Sequence, residues 1–422
     1  MLLRTLAAFT LITLSSALAE AALTPAEEKI VAAVDAQFGT FVGDLEKAVR
    51  VDSATENFAG VRQVSDLFGA QLSAIGFSTR FAELPASTTR AGHLVAELAG
   101  NRGKRLLLIG HLDTVLPGGA FRVEGTKAFG SGTSDLKGGS LALIYALRAL
   151  HTAGALADSR IIVIMPGDEE STGRPVEVTR RELFDAAKRS DLALGFENAI
   201  NHTATVARRG SSSWEIEVQG ATGHASLIFS SSMGAGSIFE AARILQSFYQ
   251  ELHVFDGLTF NVGMIVGGTE ATLNRTGGSA TGKTNIIPQN TKIRGELRAV
   301  SNEQLQQARA AMTAIVAKNL PRTSATITFG DGKPAMPASP ENYALLAQLD
   351  QVSRDLGFPA ITAYDPRARG AADIAYVSPP LPALDGLGLR GGGEHAPSEW
   401  ADLATGPEII KRNALLIYRL TR

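Results

Sequence analysis

The run Leu106-Leu107-Leu108-Ile109 leads directly into Gly110-His111-Leu112-Asp113, so a short buried strand ends on an imidazole and a carboxylate. The end of a buried strand is where open α/β sheets keep their chemistry. The same arrangement recurs downstream. Asp135 lies in Ser134-Asp135-Leu136-Lys137-Gly138-Gly139, and Glu169 and Glu170 follow the run Ile161 to Met165. Glu197 follows Leu192-Ala193-Leu194-Gly195-Phe196, and His395 follows three glycines. One histidine near an apolar strand is ordinarily just packed and hydrogen-bonded, and scattered acids are ordinarily solvated. Acids placed directly after short β-branched runs must instead face a shared edge, and five such segments point to a metal centre with His and carboxylate donors.

Elements alternate in a way that supports such an edge. Apolar positions Ile30, Val31, Val34, Phe38 and Val42 recur at helical spacing from Pro25 to Asp44, and a second helix is expected from Asn57 to Ile75, stopped by Gly76. Strands at Leu94 to Leu98, Arg105 to Ile109, Arg160 to Met165 and Asp191 to Phe196 then alternate with helices at Ser140 to Thr152 and Thr179 to Ser190. This predicts a three-layer α/β domain on a mostly parallel sheet. After Arg209 the rhythm changes. Strands at Trp214 to Val218, Leu258 to Val266, Lys292 to Val300 and Ala325 to Phe329, with helices Gly236 to Leu252 and Asn302 to Asn319, give the order β-α-β-β-α-β. That order is ferredoxin-like and predicts an inserted domain over 209–330. It separates a first catalytic part, 22–208, from a second, 331–422, which begins with the proline-rich return linker after Gly330 and continues into a helix from Glu341 to Leu356.

A chain of 422 residues exceeds the roughly 100–200 usual for one domain. The 40 basic and 42 acidic residues nearly cancel, with no long like-charge block, so neither nucleic acid nor an anionic membrane is an implied partner. With no cysteine, thiol chemistry, disulfides and Cys-based zinc sites are excluded. Residues 1–21 carry Arg4, an apolar stretch from Leu6 to Leu14, and Ala17-Leu18-Ala19, which reads as a cleaved secretory signal. The apolar stretch is shorter than the ~20 residues of a membrane span, so the mature chain is expected in the periplasm or outside the cell, free of the membrane.

Gly277-Gly278-Ser279-Ala280-Thr281-Gly282-Lys283-Thr284 satisfies the phosphate-loop pattern in full. A phosphate loop must open a helix whose N-terminus faces the phosphates. Here the continuation is Asn285-Ile286-Ile287-Pro288, extended and ending in a proline unsuited to a helix interior. Nucleotide binding is therefore not expected.

The order Gly-His-x-Asp-Thr-Val, Ser-Asp-x-Lys-Gly-Gly, Asp-Glu-Glu, Phe-Glu and a late histidine resembles the aminoacylase and glutamate carboxypeptidase superfamily of dizinc amidohydrolases. The resemblance implies two zinc ions per chain, with cobalt or manganese as substitutes. It implies that Asp135 bridges the metals, with His111 and Glu197 on one and Glu170 and His395 on the other. Glu169 is then the general base and Asp113 the carboxylate that orients His111. In the inserted domain, Thr222-Gly223-His224-Ala225-Ser226 resembles the family's lid histidine, an oxyanion donor that could act across a homodimer. Asn285 and Arg298 resemble the pair that grips a substrate carboxylate. Two positions depart from the pattern. Arg369-Gly370-Ala371-Ala372-Asp373 stands where relatives carry a run of glycines, and Ala396 replaces the usual Ser or Thr, while Glu399 keeps its offset.

The implied activity is removal of a C-terminal amino acid from a small peptide. An N-acyl-amino-acid amidohydrolase or dipeptidase uses the same machinery. A metal-binding module without catalysis would show an eroded base or ligand set, and none is seen.

Overall fold

The computed structural model describes residues 23–274 and 276–422; the expected signal segment lies outside them. The central sheet runs, strand by strand, Ser78–Glu83, Gly92–Leu98, Ser159–Met165, Arg102–Ile109, Leu192–Gly195 and Ala383–Leu384. The last four pair parallel, and the first two join antiparallel at one edge. Ile109 sits in register with both Ile164 and Gly195, so three strands stop at one level and send His111, Glu169-Glu170 and Glu197 over the same edge.

Both faces of the sheet's inner strands are buried, which is why those strands read as continuous apolar runs, whereas the edge strand Ser78–Glu83 is exposed and polar. Leu106, Leu108, Ile161 and Val163 face a core shared with the helices Pro25–Phe38, Lys137–Thr152 and Gly406–Leu420. Leu107, Ile109, Ile162 and Ile164 face the other way, against Leu183, Ala186, Ile374 and Val377. The helix Lys137–Thr152 is almost wholly buried, and its first residues need glycine. A Cβ on Gly138 would lie 2.1 Å from the Thr133 carbonyl oxygen, and one on Gly139 2.2 Å from that of Phe196. Gly-Gly thus lets the helix start press against the ends of two ligand-bearing segments.

Two expected helices are broken. Pro25 to Asp44 is two helices, Pro25–Phe38 and Phe41–Val49, divided at Gly39-Thr40. The helix expected over Thr179 to Ser190 runs from Arg181 to Lys188 and is separated at Arg180 from a short preceding helix, Val176–Thr179. Arg180 is fully buried and reaches Asp168 at 2.6 Å and Asp373 at 3.1 Å. A buried guanidinium must be paired, and that pairing takes precedence over a continuous helix.

Residues 210–331 build a second, antiparallel sheet in the order Thr259–Gly268, Asn290–Ala299, Gly210–Gly220, Thr323–Asp331. The helices Gly236–Leu252 and Asn302–Val316 close a separate core around Trp214, Phe248, Ile293 and Met312. Burying such a side chain contributes about 1.5–3 kcal/mol. A hairpin of Glu270–Leu273 with Gly278–Thr281 projects from this sheet. It contains part of the phosphate-loop-like segment, of which Gly278–Thr281 is a strand and which opens no helix. The two crossings between the bodies pair with each other: Arg208 and Met336 exchange backbone hydrogen bonds of 2.9 and 3.0 Å, and the Ser211 amide donates to the Lys333 carbonyl at 2.9 Å.

Candidate metal centre

Asp135 stands between two histidines. Its Oδ1 is 3.0 Å from His111 Nε2, and its Oδ2 is 3.3 Å from His395 Nε2. Glu197 approaches His111 Nε2 at 3.9 Å, and Glu170 approaches His395 Nε2 at 3.2 Å. The donor atoms form three overlapping triads: two share Asp135, namely His111, Asp135 and Glu197, and Asp135, Glu170 and His395, and a third joins His111, Glu169 and Glu170. The two that share Asp135 contain the five ligands that the resemblance implies.

The surroundings aim these donors. His111 Nδ1 lies 3.0 Å from the Asp113 carbonyl oxygen, so it must carry the proton, and Nε2 keeps its lone pair for a metal. Asp113 is fully buried and serves as a hub. It accepts from the amides of Glu169 and Glu170 at 3.0 and 3.1 Å and from the Thr55 hydroxyl at 2.7 Å. Glu399 accepts from the amides of Gly132, Ser134 and Asp135, each at 2.9 Å, which fixes the turn that carries Asp135. His395 has a φ of 61°, a left-handed conformation that costs a non-glycine residue about 1–3 kcal/mol. Its neighbour Glu394 is tied to the Ser134 hydroxyl at 2.9 Å and to Asn198 Nδ2 at 2.7 Å.

The electrostatics fit divalent cations. Burial, reinforced by the charge of Asp135, pushes Glu197 up to about 8 and Glu170 up to about 7. Burial opposes the ionisation of Asp135 too, but His111 and His395 hold its carboxyl well below the usual range. Hydrogen bonds to Asp135 and Glu170 raise His395 to about 10. Glu170 Oε1 is buried with no hydrogen-bond partner. A cluster of acids in which some resist ionisation, with one oxygen left unpaired, becomes favourable when positive metal charge sits among them. His111, Asp135, Glu170, Glu197 and His395 would hold that charge, and imidazole with carboxylate suits zinc, cobalt or manganese.

The centre opens into a cleft of about 940 Å³ bordered by both bodies. Glu169 lies on its wall, only 6% exposed, with its carboxylate paired to Lys333. Arg298 lines the same cleft from the inserted domain and is paired with Glu296 at 2.7 Å.

His224 and Asn285 are not on the cleft wall of their own chain. They are exposed neighbours beyond the far end of the inserted sheet, where His224 bridges to Ile286 and the Ala225 amide donates to the Asn285 carbonyl at 2.9 Å. Arg298 pairs with Ser211 at the near end, whereas Asn290 pairs with Gln219 at the far end. Eight strand residues at ~3.4 Å each separate these ends by about 27 Å. Within one chain, Asn285 and Arg298 therefore do not meet, and the expected joint grip on one carboxylate needs two chains.

Some functional side chains gave no sequence signal. His93 is buried. Its Nδ1 accepts from the Gly167 amide at 3.2 Å, and its Nε2 lies 2.6 Å from the Thr179 carbonyl, pinning the loop that carries Glu169. Arg369, in the glycine-loop position, donates to the Asn198 side-chain and main-chain oxygens at 2.7 and 2.6 Å. It thereby braces the residue next to Glu197.

Known proteins resemble this chain in sequence and in fold. Carboxypeptidase G2 of Pseudomonas sp. (strain RS-16) is 26% identical over 389 residues, covering 89% of this chain and 88% of that one. The solved aminopeptidase PepT of Bacillus cereus superposes with a TM-score of 0.73 at 17% identity, over 92% of this chain and 99% of that one. The Bacillus subtilis YXEP protein, described as a dinuclear metal binding peptidase, superposes with a TM-score of 0.64 at 15% identity, over 92% and 99%. At such identities the two structures bear on the fold alone. The model for peptidase family M20/M25/M40 matches residues 107–419, a span that takes in every donor of the metal centre and the whole inserted domain, and the chain belongs to this family of metallopeptidases.

Proposed function

We propose that the chain is an exported, zinc-dependent exopeptidase that hydrolyses the amide bond to a C-terminal amino acid, in the manner of a glutamate carboxypeptidase. The observation that carries the reading is Asp135 shared by two donor triads, beside a separate buried carboxylate, Glu169, in a cleft that also holds Arg298. Two bound divalent cations would supply Lewis-acid polarisation of the scissile carbonyl and an acidified water.

The chain's own residues do the rest. Glu169 takes the proton of the attacking water and returns it to the leaving amine. Its amide is fixed on Asp113, so the base is aimed by the same carboxylate that orients His111. Arg298 offers a planar fork to the free α-carboxylate of the substrate. His224 and Asn285 come from the inserted domain of a second copy, His224 as donor to the developing oxyanion and Asn285 beside the substrate carboxylate. Support for a homodimer comes from the apolar residues exposed on that domain, Phe229, Ile238, Phe239 and Ile265, and from its unpaired edge strand Thr259–Gly268. Export rests on the sequence of residues 1–21.

The test is hydrolysis of a panel of peptidyl and N-acyl amino acids by the metal-loaded mature protein. Release of a free C-terminal amino acid from peptidyl substrates supports the carboxypeptidase. Cleavage restricted to N-acyl amino acids assigns an amidohydrolase instead, and cleavage restricted to dipeptides a dipeptidase.

A further inference from the structure

Lys333 is placed unusually for a lysine. It lies at the start of the return crossing, just past the strand Thr323–Asp331. Its amide donates to the Ser211 hydroxyl at 3.3 Å, and its carbonyl accepts from the Ser211 amide at 2.9 Å, so its backbone belongs to the hinge ribbon of the inserted domain. Its side chain leaves the hinge, enters the catalytic cleft and is only 15% exposed. There Nζ pairs with Glu169 Oε1 and is the hydrogen-bond partner of that carboxylate among the described residues.

Behind this contact lies a cluster of buried charges. Glu169 follows Asp168 in the chain; Asp168 pairs with Arg180 at 2.6 Å, and Arg180 with Asp373 at 3.1 Å. Asp373 in turn acts electrostatically on Lys333. Arg180 and Asp168 are fully buried, and Asp373 nearly so. Charges buried to this degree hold their places only when each faces an opposite one, so the pairing with Glu169 fixes the Lys333 ammonium. A fixed ammonium on Oε1 leaves Oε2 of Glu169 as the oxygen free to accept a proton.

We propose that Lys333 is a positioning residue for the catalytic base, holding one oxygen of Glu169 from the hinge of the inserted domain and so linking that domain's seating to the base's aim. It acts through Glu169 and does not hold the substrate. The inference rests on the reading of Glu169 as the base.

Two measurements test it. In the metal-loaded enzyme, Lys333→Met should lower kcat by about a hundredfold, the scale of an ångström's misplacement of a reacting group, with KM within about twofold of the unaltered enzyme, as expected when only transition-state aim is lost. Lys333→Arg should recover most of the turnover, and Lys333→Gln substitutes for the Met variant if that fails to fold. The second readout is calorimetric binding of the best-cleaved N-acyl amino acid of the panel to metal-loaded Glu169→Gln. Adding Lys333→Met to that background should leave the Kd unchanged. A Kd weakened tenfold or more would make Lys333 a substrate anchor and overturn the proposal, as would an unchanged kcat in Lys333→Met. If Glu169→Gln alone keeps full turnover, the base assignment falls first, which separates failure of that reading from failure of this one.

Discussion

Arg298 and Asn285 stand at opposite ends of one inserted sheet, Arg298 level with Ser211 by the hinge and Asn285 beyond the Asn290–Gln219 pair. Only Arg298 borders the cleft of its own chain. A substrate carboxylate gripped by both residues is therefore gripped by two chains, and His224, adjacent to Asn285, travels with it.

This arrangement is open to complementation. His224→Ala should lower turnover by about 10²–10³-fold, the usual loss of one oxyanion donor, with metal content unchanged. Mixing His224→Ala chains with Glu169→Gln chains, under conditions that allow subunit exchange, should restore activity that neither has alone. Mixtures that stay inactive although exchange is demonstrated would place His224 outside the partner's site.

Metal content follows from the shared Asp135. A chelator should abolish activity, zinc should restore it, and two equivalents per chain should be counted by elemental analysis. Asp135→Asn should weaken both equivalents, because its two oxygens face different histidines. His395→Ala should weaken one. Full activity with a single bound metal would contradict the dinuclear assignment.

Glu169 and Glu170 are adjacent yet differently employed. Glu170 meets His395 at 3.2 Å, whereas Glu169 is paired with Lys333 and reaches His111 only at the looser range of up to 4.8 Å. Glu169→Gln should keep both metals and lose about 10²–10⁴-fold in turnover, as for a deleted general base. Glu170→Gln should lose metal instead. The opposite pattern in elemental analysis and kinetics would reverse the two roles.

Glu399 touches no histidine of the centre, yet it accepts three amides around Asp135. Glu399→Gln replaces one acceptor oxygen with a donor facing those N–H groups. The expected result is a metal affinity lower by about 10–100-fold, the usual cost of losing a residue that orients a ligand, read by competition with a chelator. Unchanged affinity would mean that the turn holds its shape without Glu399.

Four of the six strands of the central sheet were legible because a strand buried on both faces leaves an uninterrupted apolar run, such as Leu106 to Ile109; the exposed edge strand Ser78–Glu83 and the two-residue strand Ala383–Leu384 leave no such run and were not expected. The metal donors were legible for the same reason. What stayed hidden depends on contacts across long stretches of chain. The break at Arg180 reflects a partner, Asp373, nearly two hundred residues away. The roles of His93 and of Arg369 exist only once Gly167 and Asn198 are folded beside them. Motif order likewise brought Asn285 and Arg298 together as a pair. Strand length keeps them apart, because thirteen residues that turn a corner and then run extended cannot return to one point.

The proposed site reads a free α-carboxylate beside a dinuclear centre. Its most direct test compares hydrolysis, by the metal-loaded mature enzyme, of the same peptidyl amino acids with a free C-terminus and with a C-terminal amide. The account predicts cleavage of the free acids and little or none of the amides, because capping leaves the guanidinium of Arg298 poorly matched, and Arg298→Ala should shrink the difference. Equal cleavage of both forms by the unaltered enzyme would contradict carboxylate anchoring, and with it the carboxypeptidase and amino-acid-amidohydrolase readings together.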